Sequence, residues 1–216
     1  MTALFPSWAT RAARIVVAVG ITLLVVTPLF AMVWVRTPVA RGEDLHITQP
    51  IPFDHRVHVT GLQIDCRYCH AGAERGEWAG LPATQKCVSC HTQAWISSSV
   101  FAPVRKSLAT GRPIPWRRVT ELPDFVYFNH AIHVNKGVGC ETCHGRVDQM
   151  AQVTQAAPLT MGWCLGCHVN PGPNLRPVEA VTKMGWTPTA SQSAQLRMLV
   201  ADYRVRRLTN CTTCHR

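Results

Sequence analysis

Every cysteine of the chain stands in one pattern. The five segments are Cys66-Arg67-Tyr68-Cys69-His70, Cys87-Val88-Ser89-Cys90-His91, Cys140-Glu141-Thr142-Cys143-His144, Cys164-Leu165-Gly166-Cys167-His168 and Cys211-Thr212-Thr213-Cys214-His215. They use all ten cysteines and five of the ten histidines. In a CxxCH segment the two thiols reach the two vinyl groups of one porphyrin and form thioethers. The adjacent imidazole then lies under the same ring and supplies a nitrogen to iron. Zinc ribbons pair their CxxC knuckles, so five would leave one over, and zinc requires no histidine at the next position. Disulfides within CxxC do not need that histidine either. The spacing therefore predicts five covalent c-type haems, with His70, His91, His144, His168 and His215 as the proximal ligands.

A second pattern supplies more imidazoles. Phe53-Asp54-His55-Arg56-Val57-His58-Val59 matches Phe128-Asn129-His130-Ala131-Ile132-His133-Val134. Each copy is followed by two CxxCH motifs, so the chain reads as two di-haem repeats with a fifth haem appended. Two histidines three residues apart lie on one face of a helical turn. They are too close to bracket a single iron and suit two neighbouring haems. Five six-coordinate irons need ten axial ligands. The motifs give five, and His55, His58, His130 and His133 make nine. The tenth is open between Met161 (three residues before Cys164), His46, Met150 and an iron with no sixth ligand. With both axial positions filled, iron has no room for a substrate and exchanges only electrons. A thioether in place of an imidazole raises the reduction potential. No CxxCK segment occurs, so a lysine-ligated catalytic haem is not expected.

These sites need a scaffold. Residues 15–35, from Ile15 to Val35, form an uncharged apolar run about as long as a bilayer core is thick, counting about 1.5 Å per helical residue. The run exceeds a typical signal-peptide core, and no small-residue cleavage site follows directly. A single transmembrane anchor is expected, with Trp8 and Trp34 near its ends and Pro28 inside it, which such helices tolerate. Haem c is attached on the outer face of the membrane. The N-terminus is therefore expected in the cytoplasm and the haem body on the periplasmic side. Fifteen prolines and fourteen glycines predict a mostly irregular body with short α-helices on the motifs. Stacked porphyrins would supply much of its core. The expected divisions are 1–14, 15–35, a linker at 36–52, di-haem repeats at 53–125 and 126–180, and a fifth-haem segment at 181–216. The net charge of +10 would suggest an anionic polymer, but about ten haem propionates offset it, and nucleic acid is not expected.

Taken together, the spanning helix, FDHRVHV, CRYCH, CVSCH, LPDFVYFNH, GVGCETCHGRV, LTMGWCLGCH and the terminal CTTCHR resemble the pentahaem membrane-anchored cytochrome c subunit of alternative complex III. That resemblance implies an electron-transfer subunit, not itself an enzyme, in a quinol:electron-acceptor oxidoreductase. It implies partners: polytopic membrane subunits, an iron–sulfur subunit and a monohaem cytochrome c that passes electrons on to a carrier or oxidase. It carries over the motif histidines and His55, His58, His130 and His133. It favours Met161 as the tenth ligand, because a Met before the fourth motif is typical there, and His46 has no counterpart. Two other readings stand beside it. One is a free-standing membrane-anchored quinol dehydrogenase feeding a periplasmic reductase, and the other is an electron-storage module.

Overall fold

The first helix, α1, runs Ser7–Trp34 in the computed structural model, which describes residues 6–189 and 192–215. Residues 1–5 of the expected N-terminal segment, and 190, 191 and 216 of the expected C-terminal one, lie outside the described residues. The helix begins earlier than the apolar run. Arg11 and Arg14 are good helix formers, so charge ends the apolar stretch without ending the helix. Its end comes one residue short of Val35. Arg36 N–H bonds to Val33 O at 3.0 Å and Thr37 N–H to Trp34 O at 2.9 Å, a tightened last turn ahead of Pro38. Pro28 is accommodated inside the helix. Trp8–Trp34 is long and apolar enough to cross a membrane. Its apolar side chains, from Ile15 through Leu24 to Phe30, are exposed.

The chain divides into two units, residues 1–43 and 44–216. The larger unit is built of short elements. The helices are α2 (Cys66–Cys69), α3 (Thr84–His91), α4 (Ala102–Thr110), α5 (His130–Asn135), α6 (Cys140–His144), α7 (Met161–Val169) and α8 (Gln192–Asp202). Four of them carry a CxxCH motif. The fifth motif lies on a 3₁₀ turn, Cys211–Thr213, and the first HxxH lies on a π turn, Arg56–Gly61. No strand occurs among the described residues, and an isolated bridge joins Val138 and Leu175. This is the mostly irregular, short-helix fold expected of the sequence.

Local chemistry starts and stops these helices. The Asp65 carboxylate accepts from Arg67 N–H at 2.9 Å, Asn129 Oδ1 from Ile132 N–H at 3.1 Å, and Thr160 Oγ1 from Trp163 N–H at 3.3 Å. Each is an N-cap. Gly111 ends α4 at φ +65°, where a Cβ would be strained. The side-chain core is small. Ile51, Val104 and Ile114 are buried together beneath Val88, Ile96, Phe101 and Trp116, and Leu175 and Val181 are buried elsewhere.

The two repeats interlock. Helix α5 of the second docks on the loop after the first motif. Ala131 N–H bonds to Gly76 O at 2.9 Å, and Asn135 Nδ2 to Glu74 O at 3.0 Å. The stretch after the fourth motif returns over both: Cys140 N–H bonds to Val181 O at 2.9 Å, and Thr182 Oγ1 donates to Asp65 Oδ2 at 2.7 Å.

Candidate haem-binding sites

The HxxH histidines face histidines of the motifs. His58 lies opposite His91 with ring centroids 6.1 Å apart. His130 lies opposite His144 at 6.4 Å, and His133 opposite His168 at 6.0 Å. Imidazoles that bond each other directly, or stack, come closer than this. With about 2 Å from a metal to each imidazole nitrogen and about 1 Å from that nitrogen to its ring centre, two rings on opposite sides of one ion have centroids roughly 6 Å apart. The three pairs match that span. His55 is the remaining member of its HxxH, and the charge of His70 acts on it.

The other ring nitrogen is fixed in most of these histidines. Nδ1 of His58 bonds to Asp54 O at 2.9 Å, of His70 to Gly80 O at 2.8 Å, and of His91 to Ala94 O at 3.1 Å. Nδ1 of His130 bonds to Ala73 O at 2.9 Å, of His133 to Asn129 O at 2.8 Å, of His168 to Leu208 O at 2.8 Å, and of His215 to Phe125 O at 3.1 Å. A carbonyl only accepts, so each Nδ1 carries the hydrogen and each Nε2 keeps its lone pair. That is the usual second-shell arrangement of a metal-bound histidine. Burial lowers His55 and His144 to about 4, with neighbouring imidazoles adding to the effect. Burial also holds His133 below the ordinary histidine range. Neutral imidazole is the ligating form. The buried Nδ1 of His55 has no hydrogen-bond partner among the described residues.

Ring stacking sets the orientation of the second histidine of each HxxH. Phe53 stacks on His58 at 4.3 Å and 27°, and Phe128 stacks on His133 at 4.4 Å and 29°. The same phenylalanines meet His55 and His130 edge-on. The conserved spacing of Phe in both copies of the repeat was the available signal for this role. The carbonyl partners carry no such signal, because any residue type supplies a carbonyl.

No two of the ten cysteines are joined in a disulfide. Burial pushes Cys143 up to about 11 and raises Cys69, Cys87, Cys164 and Cys167. The hydrogen bond between Cys66 and Cys140 lowers Cys140 and raises Cys66. Among the described residues no three His, Cys, Asp or Glu side chains converge as a metal site, and the recurring unit is two facing imidazoles beside a CxxC. Large apolar side chains near these segments are exposed: Leu62, Trp78, Leu81, Trp95, Ile132 and Leu208. Two facing imidazoles, two nearby thiols and an apolar surround would fit a porphyrin.

His215 is different. The ring beside it is Phe125, at 5.7 Å, and not a second imidazole. Met161 is the first residue of α7 and is 69% exposed. His46 is exposed. The Met150 methyl packs against Gly145, where an added Cβ would lie 3.3 Å from it.

Comparison with known families bears on this geometry. The model of the family "Cytochrome c7 and related cytochrome c" matches residues 126–216. The "Class III cytochrome C family" model matches residues 32–112. The chain is a multihaem cytochrome c. Such cytochromes hold covalent c-type haem and transfer electrons. The chain is also similar to the menaquinone reductase multiheme cytochrome c subunit of Nitratidesulfovibrio vulgaris, at 38% identity over 97 residues. The match spans 44% of this cytochrome and 45% of that relative's length.

Proposed function

We propose that this multihaem cytochrome holds five c-type haems and relays electrons between a membrane quinone reaction and a downstream cytochrome, carrier or oxidase. The observation that carries it is the set of imidazole pairs 6.0–6.4 Å apart, each beside a CxxC. In this reading Cys66/Cys69, Cys87/Cys90, Cys140/Cys143, Cys164/Cys167 and Cys211/Cys214 anchor the rings. His55 with His70, His58 with His91, His130 with His144, and His133 with His168 hold four irons, and His215 with Met161 holds the fifth. Haem supplies a one-electron iron couple. The chain's residues fix each imidazole tautomer through a backbone carbonyl. They would supply two ligand nitrogens to each of four irons, with Phe53, Phe101 and Phe128 packed on His58, His91 and His133. The intact mass of the mature protein is expected to exceed that of the polypeptide by five haems. A mass showing four or fewer from a host competent in haem attachment would refute the count.

The assembly is alternative complex III, with polytopic membrane subunits, an iron–sulfur subunit and a monohaem cytochrome c as partners. This rests on the sequence resemblance and on the quinone-linked name of the Nitratidesulfovibrio relative. The relative is named as a reductase, which gives a second reading with the electron flow reversed, toward the quinone. Purification in mild detergent distinguishes the subunit from the free-standing quinol dehydrogenase. Co-elution with large polytopic and iron–sulfur subunits is expected, and quinol oxidation by the isolated chain would overturn it. In the same reading α1 is a single-pass anchor with the N-terminus inside and the haem body on the outer face of the cytoplasmic membrane. Protease added to right-side-out spheroplasts is expected to digest the body. Protection of the body would reverse the orientation.

Met161 as the tenth ligand has its own test. The oxidised protein is expected to show a weak near-infrared sulfur-to-iron band, and Met161→Leu is expected to abolish it. Met161→His keeps the iron low-spin and lowers one potential, because imidazole favours ferric iron more than a thioether does. An unchanged band and unchanged potentials in Met161→Leu would move the assignment to His46 or Met150.

A further inference from the structure

We propose that the five motifs line up in space in the order second, first, third, fourth, fifth, so that an electron path has its two partner-docking ends at the second and fifth motifs. The inference rests on the haem reading above and adds where the path begins and ends.

Each junction in that order has contacts of its own. The second and first motifs share the Arg56–Gly61 turn, through His58 opposite His91 and its neighbour His55. They also touch directly: Tyr68 Oη lies 3.2 Å from Ser89 Oγ, and the Lys86 ammonium sits 4.3 Å over the Tyr68 ring. The first and third motifs flank one dipeptide. Val181 O accepts from Cys140 N–H at 2.9 Å, and Thr182 Oγ1 donates to Asp65, the cap of α2, at 2.7 Å. His130, opposite His144, donates its Nδ1 hydrogen to Ala73 O, three residues past His70, at 2.9 Å. Thr60 Oγ1 likewise donates to Asp148 O, just past the third motif, at 2.7 Å. The third and fourth motifs share α5, through His130 and His133. The fourth and fifth are joined by His168 Nδ1 to Leu208 O at 2.8 Å, three residues before Cys211.

Each end of this row packs on a different part of the chain. The second motif packs its far side on α4, with His91 4.5 Å from Phe101 and Val88 against Ile51, Val104 and Ile114. The fifth packs on the irregular stretch before α5, where Tyr127 N–H bonds to Cys214 O at 2.8 Å. The physical reason for the reordering is the way two copies of a repeat meet. They join through equivalent parts, the first motif of each, as in an isologous interface. The second motif of each copy is then left on the outside. Chain order would have placed the second motif beside the third, whereas the contacts above among the described residues join the first to the third.

Two measurements on the mature full-length protein test the order. Cryo-electron microscopy is expected to show the iron of the second motif nearest to that of the first, and the irons of the first and third adjacent. An iron of the second motif lying between those of the first and third would overturn the proposal. In solution, reducing one haem makes each adjacent haem harder to reduce, because the added charge repels the next electron. A histidine-to-methionine change makes its own haem the first to reduce. His55→Met is therefore expected to shift two other midpoints downward, and His58→Met only one. The reverse, one for His55→Met and two for His58→Met, would restore chain order and overturn the proposal. A mass short of five haems instead refutes the haem count on which the order rests, and the order with it.

Discussion

Replacing His133 by alanine is expected to convert one of the five proposed haem irons to a high-spin form while every haem stays attached. His133 faces His168 at 6.0 Å, stacks on Phe128 and donates Nδ1–H to Asn129 O. Its Nε2 is therefore directed into the gap between the rings. In the proposed reading the thioethers at Cys164 and Cys167 do not depend on it, so the haem is expected to be retained and only the sixth ligand lost. A new high-spin band near one fifth of the haem absorbance is the expected readout, from five motifs of equal weight. Free imidazole added to the alanine variant enters the vacated space and restores the low-spin spectrum. His133→Met stays low-spin and raises one potential. His58→Ala behaves in the same way at the second motif, because Phe53, Asp54 O and His91 repeat the arrangement. A fully low-spin spectrum in both alanine variants would make these histidines packing residues.

The motifs, the duplication and the nine histidines were legible because they are written in local spacing. The partners were not. Nothing near His58 in sequence states that it meets His91, or that His133 meets His168. Those pairings depend on where the chain returns after α3 and α7. The start of α1 at Ser7 was missed for a related reason. Hydropathy marks where the chain is apolar, while helix formation continues through Arg11 and Arg14. The fifth motif adopts a 3₁₀ turn, Cys211–Thr213, so its CxxCH spelling gave the chemistry but not the shape. Least legible was the anchoring of α6. Glu141 occupies a variable position of its motif, and its partner Arg176 lies 35 residues on.

That pair makes the second large prediction. Glu141→Ala is expected to cost about 3–5 kcal/mol of stability, the usual effect of stripping the partner from a buried charge. Arg176 Nη2 donates to Glu141 Oε1 at 2.8 Å with side-chain exposures of 8% and 15%. Its Nη1 donates to Lys183 O at 3.0 Å, and its guanidinium lies 5.1 Å from the Trp186 ring centre. Glu141 also accepts from Gly185 N–H. The two side chains thus tie the third motif's helix to residues 176–186, the same stretch that reaches across to Asp65. Gly139, just before Cys140, has no room for a Cβ because the Arg176 guanidinium occupies that place. Alanine at 141 would leave the guanidinium buried without its carboxylate, and water cannot reach it without opening the contact. Glu141→Gln keeps the hydrogen-bond acceptor and loses the charge, so its cost is smaller. Replacing both partners with apolar residues of similar size, Glu141→Leu with Arg176→Met, recovers much of the loss, because neither charge then has to be desolvated. Denaturant unfolding of the mature protein, followed by haem absorbance, measures the series. A Glu141→Ala midpoint equal to that of the parent would show that the pair is solvated in practice and that α6 is held by its thioethers alone.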